Sequence, residues 1–373
     1  MNDSPSQLGP LIVFNKIDGR IPRSLKLLRR LENYAEMYAH FSPRPNDTLT
    51  VQGVHNFSNS EGNLTFPSLS ILQTGNFLLK EFWQTVSHYR ANDGYPSLII
   101  AGDPWIGFLK CYLLKKLIFK KSEIQIQFHG DIYSIAKPWR LKESMKYWII
   151  RLSLKSAQSI RVVSNFQVEE LKSRVKGDVT FVCAPIPLDF DKIPAEVSTQ
   201  RAGIGLVGRL HKERGLEYFV SILEEMKFRE LRTPIFIIGN GPEKRYLFRK
   251  LENLELLDDV VFLGELSNPD LKKFYKSLRV LLTCAPSEGY GLTIREAALS
   301  GIHVVARNSK GTISAKQDFD LEIQLYDSVA QAVDLIDKVL SSEIKPFVDP
   351  NKIHLQKARD LDSVRKWAQS WVV

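Results

Sequence analysis

Cysteine is scarce in this chain. Cys111, Cys183 and Cys284 are the three among 373 residues, and no two stand at a metal-ligand spacing. That excludes a disulfide-built scaffold and a cysteine-ligated zinc site. Aspartates form no cluster either, so no metal is expected. No run approaches the ~20 apolar residues that a membrane-spanning helix needs. The opening Met1-Asn2-Asp3-Ser4-Pro5-Ser6-Gln7 lacks the basic and apolar regions of a signal peptide. These absences predict a cytoplasmic protein. The Asn-x-Ser/Thr sequons at Asn46, Asn56 and Asn63 are then chance.

Acid is short in the first half alone. Residues 1–190 carry 24 Lys+Arg against 16 Asp+Glu, whereas the remainder is nearly balanced at 27 against 26. The excess concentrates between Lys110 and Lys155, with 11 basic and 3 acidic side chains. Such a field attracts nucleic acid, an anionic membrane face or an anionic acceptor. The chain has no RNP-like aromatic motif, zinc spacing or helix-turn-helix signal, so no nucleic-acid partner is expected.

What is present is a βα rhythm long enough for two domains. Apolar strands are expected at 11–14, weakly at 49–54, and at 97–101, 124–128, 159–163 and 178–183. Helices are expected at 24–41, 77–89, 106–119, 137–156 and 165–174 between them. Polar residues 42–75 read as that weak strand followed by a long loop, and Pro185 to Thr199 as a hinge. The same rhythm resumes at Ile204, with strands at 204–207, 234–238, 260–264 and 280–282 and helices at 271–278, 292–299, 330–340 and 364–371. This predicts an α/β fold with parallel sheets.

Two stretches carry chemistry. After Val280-Leu281-Leu282 comes Ser287-Glu288-Gly289-Tyr290-Gly291-Leu292, then a helix-like run containing Glu296. The first N–H groups of such a helix lack partners and point into the loop. Gly289 and Gly291 remove side chains that would keep a phosphate away, while Glu296, a pure acceptor, suits sugar hydroxyls. A plain turn followed by a helix with solvated acids fits the spacing equally. The second stretch is Gly208-Arg209-Leu210-His211-Lys212-Glu213-Arg214-Gly215 after a strand. Arg209, Lys212 and Arg214 together can clamp a diphosphate, or simply populate a solvated loop. In the first half, His129 ends a strand, where ligands of open α/β sheets bind, although a lone histidine is as readily structural.

The segment Glu288 to Glu296, with Ala297-Ala298-Leu299-Ser300-Gly301-Ile302-His303-Val304-Val305-Ala306, resembles the E-x7-E motif of the retaining glycosyltransferases of family 4 (glycosyltransferase group 1). Gly208 to Gly215 resembles their GRLxxxKG, with Arg214 at the Lys position. Ile235 to Pro242 resembles their "IvGxGP" strand, and Val260 to Gly264 their "VxFlG" at the nucleobase pocket. The resemblance is strongest over 203–306. It implies a GT-B fold: two Rossmann-like domains with parallel sheets facing across a cleft, at 1–190 and 200–355. A last helix at 356–373 would cross back to the first domain. It implies a retaining, metal-independent hexosyltransferase without a cofactor, using a nucleotide-diphosphate sugar as donor and a glycan or lipid-linked acceptor. Arg209 and Arg214 would hold the diphosphate, Glu288 would face the donor sugar, and His129 would contact that sugar. Gly208, Lys212, Gly239, Leu263, Gly289, Tyr290, Gly291, Leu292 and Glu296 would complete the donor pocket. A GT-B nucleotide-sugar epimerase is the alternative.

The basic, aromatic stretch Lys137 to Lys155 reads either as a surface helix covering a core or as an interfacial helix touching anionic lipid. The second reading would place the protein peripherally at the inner membrane face.

Overall fold

A computed structural model describes residues 6–8, 11–13, 49–51, 54–57, 94–130, 141–175, 177–194, 200–319, 322–342 and 349–371. The helices expected at 24–41 and 77–89, most of 42–75 and the start of the basic helix at 137–140 lie outside them. The chain divides into two compact units. One comprises residues 1–185 and 361–373, and the other residues 186–360.

The first unit contains β1 (Ser6–Leu8), β2 (Leu11–Val13), β3 (Leu49–Val51), β4 (Val54–Phe57) and β5 (Gly94–Pro96). β6 (Leu98–Ala101), α1 (Ile106–Leu117), β7 (Glu123–Phe128) and α2 (Leu141–Ser156) follow. β8 (Ser159–Val162), α3 (Asn165–Lys172) and β9 (Thr180–Cys183) complete it. Seven strands form one sheet in the order β4-β3-β2-β6-β7-β8-β9, and β1 pairs with β5 in a separate two-stranded sheet. The weak strand at 49–54 is in fact two, and β3 and β4 pair antiparallel, so this sheet is not wholly parallel. β6 is buried along its whole length. α1 turns Phe108, Cys111 and Leu114, spaced at three residues, onto the sheet, where they share one core with Ile150 and Leu154 of α2. The Asp103 carboxylate accepts from the N–H groups of Trp105 (3.0 Å) and Gly107 (3.2 Å), fixing the turn into α1.

The second unit repeats strand and helix. It contains β10 (Ala202–Val207), α4 (Leu216–Phe228), β11 (Ile235–Ile238), α5 (Lys244–Asn253), β12 (Val260–Gly264) and α6 (Asn268–Ser277). Then come β13 (Leu278–Thr283), α7 (Leu292–Leu299), β14 (His303–Arg307), α8 (Lys310–Asp318), β15 (Ile323–Tyr326) and α9 (Val329–Ser341). The order is β12-β11-β10-β13-β14-β15, and every pairing is parallel. Buried side chains of α4 and α9 close one face with Ile204, Leu206, Val280, Leu282 and Val305. From β10 the chain first adds strands on one side and then, from β13, on the other. Ligands of such sheets bind at that switch, beyond the carboxyl ends of the strands.

The final helix, α10 (Pro350–Gln369), starts well before the 364–371 that periodicity marks and six residues before the 356–373 that the resemblance implies. Its first part misleads sequence pattern because its buried face is polar: Gln356, Asp360 and Ser363 are buried, while Leu355 and Leu361 are each 53% exposed. Each of the three residues makes a hydrogen bond. The Asp360 carboxylate accepts from Leu188 N–H (2.7 Å) and from Gln356 (2.7 Å), and the Ser363 hydroxyl donates to the Pro185 carbonyl (2.5 Å). Burial pushes the Asp360 carboxyl above its usual range. Beyond Leu361 the chain belongs to the first unit. There the guanidinium of buried Arg161 lies 3.9 Å from the Trp367 ring centroid, and Trp371 donates to the Gln125 side chain (3.2 Å). Trp371 is fully buried. Trp371→Ala is therefore expected to remove about 3–5 kcal/mol from the first unit, read as a lower thermal unfolding midpoint. An unchanged midpoint would contradict this anchoring role.

Candidate functional site

Four loops of the second unit meet above the switch between β10 and β13. The β10–α4 loop, residues 208–215, turns into α4 through Gly215, whose φ is 67°. A Cβ there would stand 2.0 Å from the carbonyl oxygen of Cys284, in the β13–α7 loop. The glycine is thus required twice, by its left-handed backbone and by the close approach. The same holds less strictly elsewhere. A Cβ on Gly311, in the first turn of α8, would meet the Glu288 carbonyl at 1.9 Å, and one on Gly241 the Leu210 carbonyl at 2.1 Å. Gly215 and Gly241 lie in stretches that the sequence reading singled out, but the backbone contacts that require them have no sequence signal.

The charged groups are brought together but already paired. Arg214 Nη1 lies 3.0 Å from Glu288 Oε2, joining the basic loop to the glycine loop. Its Nε is buried with no hydrogen-bond partner. Arg209 is exposed and pairs with Glu213, four residues on, and His211 Nδ1 stands 3.6 Å from the same carboxylate. Lys212 is exposed.

Helix α7 is held at both ends. Gly291 caps it with φ 72° and ψ 52°, which leaves the first N–H groups of the helix directed at the loop. Just behind, buried Arg295 donates from Nε to the Tyr290 carbonyl (3.1 Å), ion-pairs with Asp318 and lies 4.2 Å from the Tyr290 ring centroid. At the far end Arg201 donates to the carbonyls of Ser300 (2.6 Å) and Gly301 (2.7 Å). Burial and the neighbouring Arg279 lower its pKa to about 10, so it stays charged at neutral pH and complements the negative helix terminus. Cys284 is no nucleophile. Burial pushes its thiol up to about 12, and its sulfur accepts from Tyr326 Oη (3.2 Å).

The other expected residues fall as follows. Glu296 lies on the buried face of α7, and Gly289 is buried in the loop before it. Leu292, at the first turn, is half-buried. The Tyr290 ring is buried against Arg295 rather than open to the loop. Gly239 spends its N–H on the Gly264 carbonyl (2.6 Å), and Gly208 spends its own on Ile238 (2.9 Å). Those two glycines shape the site and do not donate to a ligand through the backbone. Leu263 is exposed near the end of β12, the edge strand. In the first unit, His129 is exposed after β7. The loop at 308–312 runs into α8. Ser309 and Thr312 form a capping box there, with Thr312 Oγ1 accepting from Ser309 N–H (2.8 Å).

The loop pair sets basic side chains beside the amino terminus of α7 at a topological switch. Residues 190–352 match the family model for glycosyl transferases group 1. An uncharacterized glycosyltransferase of Bacillus subtilis, YqgM, is 24% identical over 196 residues, which is 52% of this chain and 55% of that protein. The alpha-monoglucosyldiacylglycerol synthase of Streptococcus pneumoniae is 23% identical over 198 residues, 49% of this chain and 45% of that one. The chain thus spans about half the length of these relatives. Among solved structures, Anabaena HepE in complex with UDP and glucose superposes with a TM-score of 0.65 at 14% identity, covering 97% of this chain and 98% of that one. That likeness shows the fold, which is GT-B.

The group 1 segment depends on backbone contact at Gly215. Gly215→Ala is expected to cost about 1–3 kcal/mol from the positive φ alone, with the overlap at Cys284 added. Gly130→Ala, with open space around its Cβ, is the control. Equal unfolding midpoints for the two variants would contradict the reading.

Proposed function

We propose that this protein is a retaining, metal-independent glycosyltransferase. It moves a hexose-type sugar from a nucleotide-diphosphate sugar to a glycan or lipid-linked acceptor in cell-envelope or exopolysaccharide synthesis. The observation that carries the reading is the Arg214–Glu288 junction, which seats a basic loop against the amino terminus of α7 inside the segment matching group 1. The names of the pneumococcal relative and of the HepE complex, a glucosyl lipid synthase and a protein holding UDP and glucose, fit the proposed substrates.

In this reading the bond between the anomeric carbon and the diphosphate breaks, an acceptor hydroxyl bonds to that carbon on the same face and passes its proton to the departing diphosphate, and negative charge gathers on that leaving group in the transition state. Arg209, Lys212 and Arg214, with the N–H groups of Gly291 and Leu292, stabilise that charge. The exposed Arg209–Glu213 pair is worth about 0–1 kcal/mol, so an incoming diphosphate displaces it readily. Arg214 keeps donors beyond the one it gives to Glu288, and can hold both. Glu296 accepts the ribose hydroxyls, Glu288 faces the donor sugar, and His129 contributes a sugar contact. Leu263 contributes to the nucleobase pocket. The positive charge is supplied by side chains and backbone, so a chelator leaves turnover unchanged. The protein works in the cytoplasm, at the inner membrane face when its acceptor is lipid-linked.

Arg209→Ala is expected to lower turnover by about two to three orders of magnitude with an unchanged unfolding midpoint. Near-normal turnover would remove Arg209 from the leaving-group site. Glu296→Gln should weaken the free nucleoside diphosphate, read by calorimetry, whereas Glu288→Gln should lower turnover and leave that affinity nearly intact. Equal affinities in the two variants would contradict the division of roles. An assay of donor hydrolysis and isomerisation separates transfer from epimerisation.

A further inference from the structure

The side chains that α1 and α2 turn away from their sheet are the wrong kind for water. On α1 the exposed positions include Ile106, Leu113 and Leu117, and on α2 they include Met145, Trp148 and Leu152. Within each helix these recur at three, four and seven residues, so they form stripes and not scattered points. Leu117 is 68% exposed and Trp148 64%. Each helix meanwhile buries a separate stripe in the shared core, so the outer stripes are no extension of it. The two helices are neighbours: Lys146 Nζ on α2 lies 4.9 Å from the centroid of the Trp105 ring, at the start of α1.

Charge flanks the stripes with one sign. Residues 106–121 contain five lysines and no acid, and residues 145–156 contain Lys146, Arg151 and Lys155 and no acid. Lys116, Lys120, Lys121, Arg151 and Lys155 are exposed. The Arg151 guanidinium lies 5.4 Å from the Trp148 ring centroid, joining cation and aromatic on one surface.

We propose that these outer faces of α1 and α2 form one docking surface for an anionic lipid bilayer, with the apolar stripes entering the headgroup boundary and the basic side chains meeting lipid phosphates. The charge complementarity selects this occupant. A second copy of the same face would oppose five exposed cations to five, and an aqueous polyanion would leave six apolar side chains unused. No helix among the described residues is long and apolar enough to cross a membrane, so the protein lies on the bilayer. α1 begins at the carboxyl end of β6, the sheet end at which β7 delivers His129. The surface therefore reaches the ligand-binding end of this unit. The proposal deepens the lipid-linked acceptor reading, yet it is read without donor or turnover and so fails separately from it.

The test is co-sedimentation of the full chain with vesicles of phosphatidylcholine alone, and of phosphatidylcholine with phosphatidylglycerol in equal parts, at low and high salt. Binding is expected to the mixed vesicles alone and to fall steeply with salt. Lys116→Glu with Arg151→Glu should weaken it at least about tenfold. Leu117→Ser with Trp148→Ser should weaken it while leaving the unfolding midpoint unchanged, since both positions are exposed. Trp148→Phe should abolish the blue shift of tryptophan fluorescence on vesicle addition. Four results would overturn the proposal. They are no sedimentation with mixed vesicles at low salt, equal binding to neutral vesicles, binding unaffected by both double variants, or a dimer that Leu117→Ser with Trp148→Ser converts to monomer.

Discussion

The second unit is organised around one backbone approach, Gly215 against the Cys284 carbonyl. It fixes the distance between the loop that follows β10 and the loop that follows β13. Once that distance is set, Arg214 meets Glu288 and the amino terminus of α7 faces the basic loop. The rest of the unit serves this geometry. Arg295 grips the loop at the Tyr290 carbonyl, Arg201 grips the far end of α7, and Gly311 lets α8 start against the Glu288 carbonyl. Tyr326, on the edge strand β15, donates to the Thr283 carbonyl (3.0 Å) and steadies the end of β13 from two strands away.

The electrostatics follow from the same contact. Positive side chains held near unpaired N–H groups repel one another unless compensated. In this structure Glu288 compensates Arg214 at a half-buried position, and Glu213 compensates Arg209 at an exposed one, where the pair is weak enough to exchange. Arg295 is structural: its guanidinium is buried, and losing Asp318 would leave that buried charge without its ion-pair partner.

Much of this was legible in the sequence, for a definite reason. Strands such as Leu98–Ala101 and Val280–Leu282 are short, apolar and followed by glycine or polar turns, so pattern alone locates them, and the parallel rhythm places the basic and glycine loops at one end of a sheet. Other features were hidden where burial and polarity part company. The first part of α10 buries Gln356, Asp360 and Ser363 while Leu355 and Leu361 are exposed, so apolar periodicity there runs opposite to the true core. α8 depends on a Ser309–Thr312 cap rather than on propensity. The outer stripe of α1 shows the reverse: Leu113 and Leu117 are apolar and yet exposed. Pairing was also invisible, since neither the antiparallel β3–β4 ladder nor the Arg209–Glu213 contact has a sequence signal beyond proximity.

The central claim is that the loops following β10 and β13 form a single receptor for a nucleoside diphosphate. Amide hydrogen exchange of the full chain, with and without UDP, GDP or ADP, tests it most directly. The account predicts that one of these nucleotides slows exchange together at residues 208–215 and 289–294. Protection confined to other segments, or absent with all three, would contradict it.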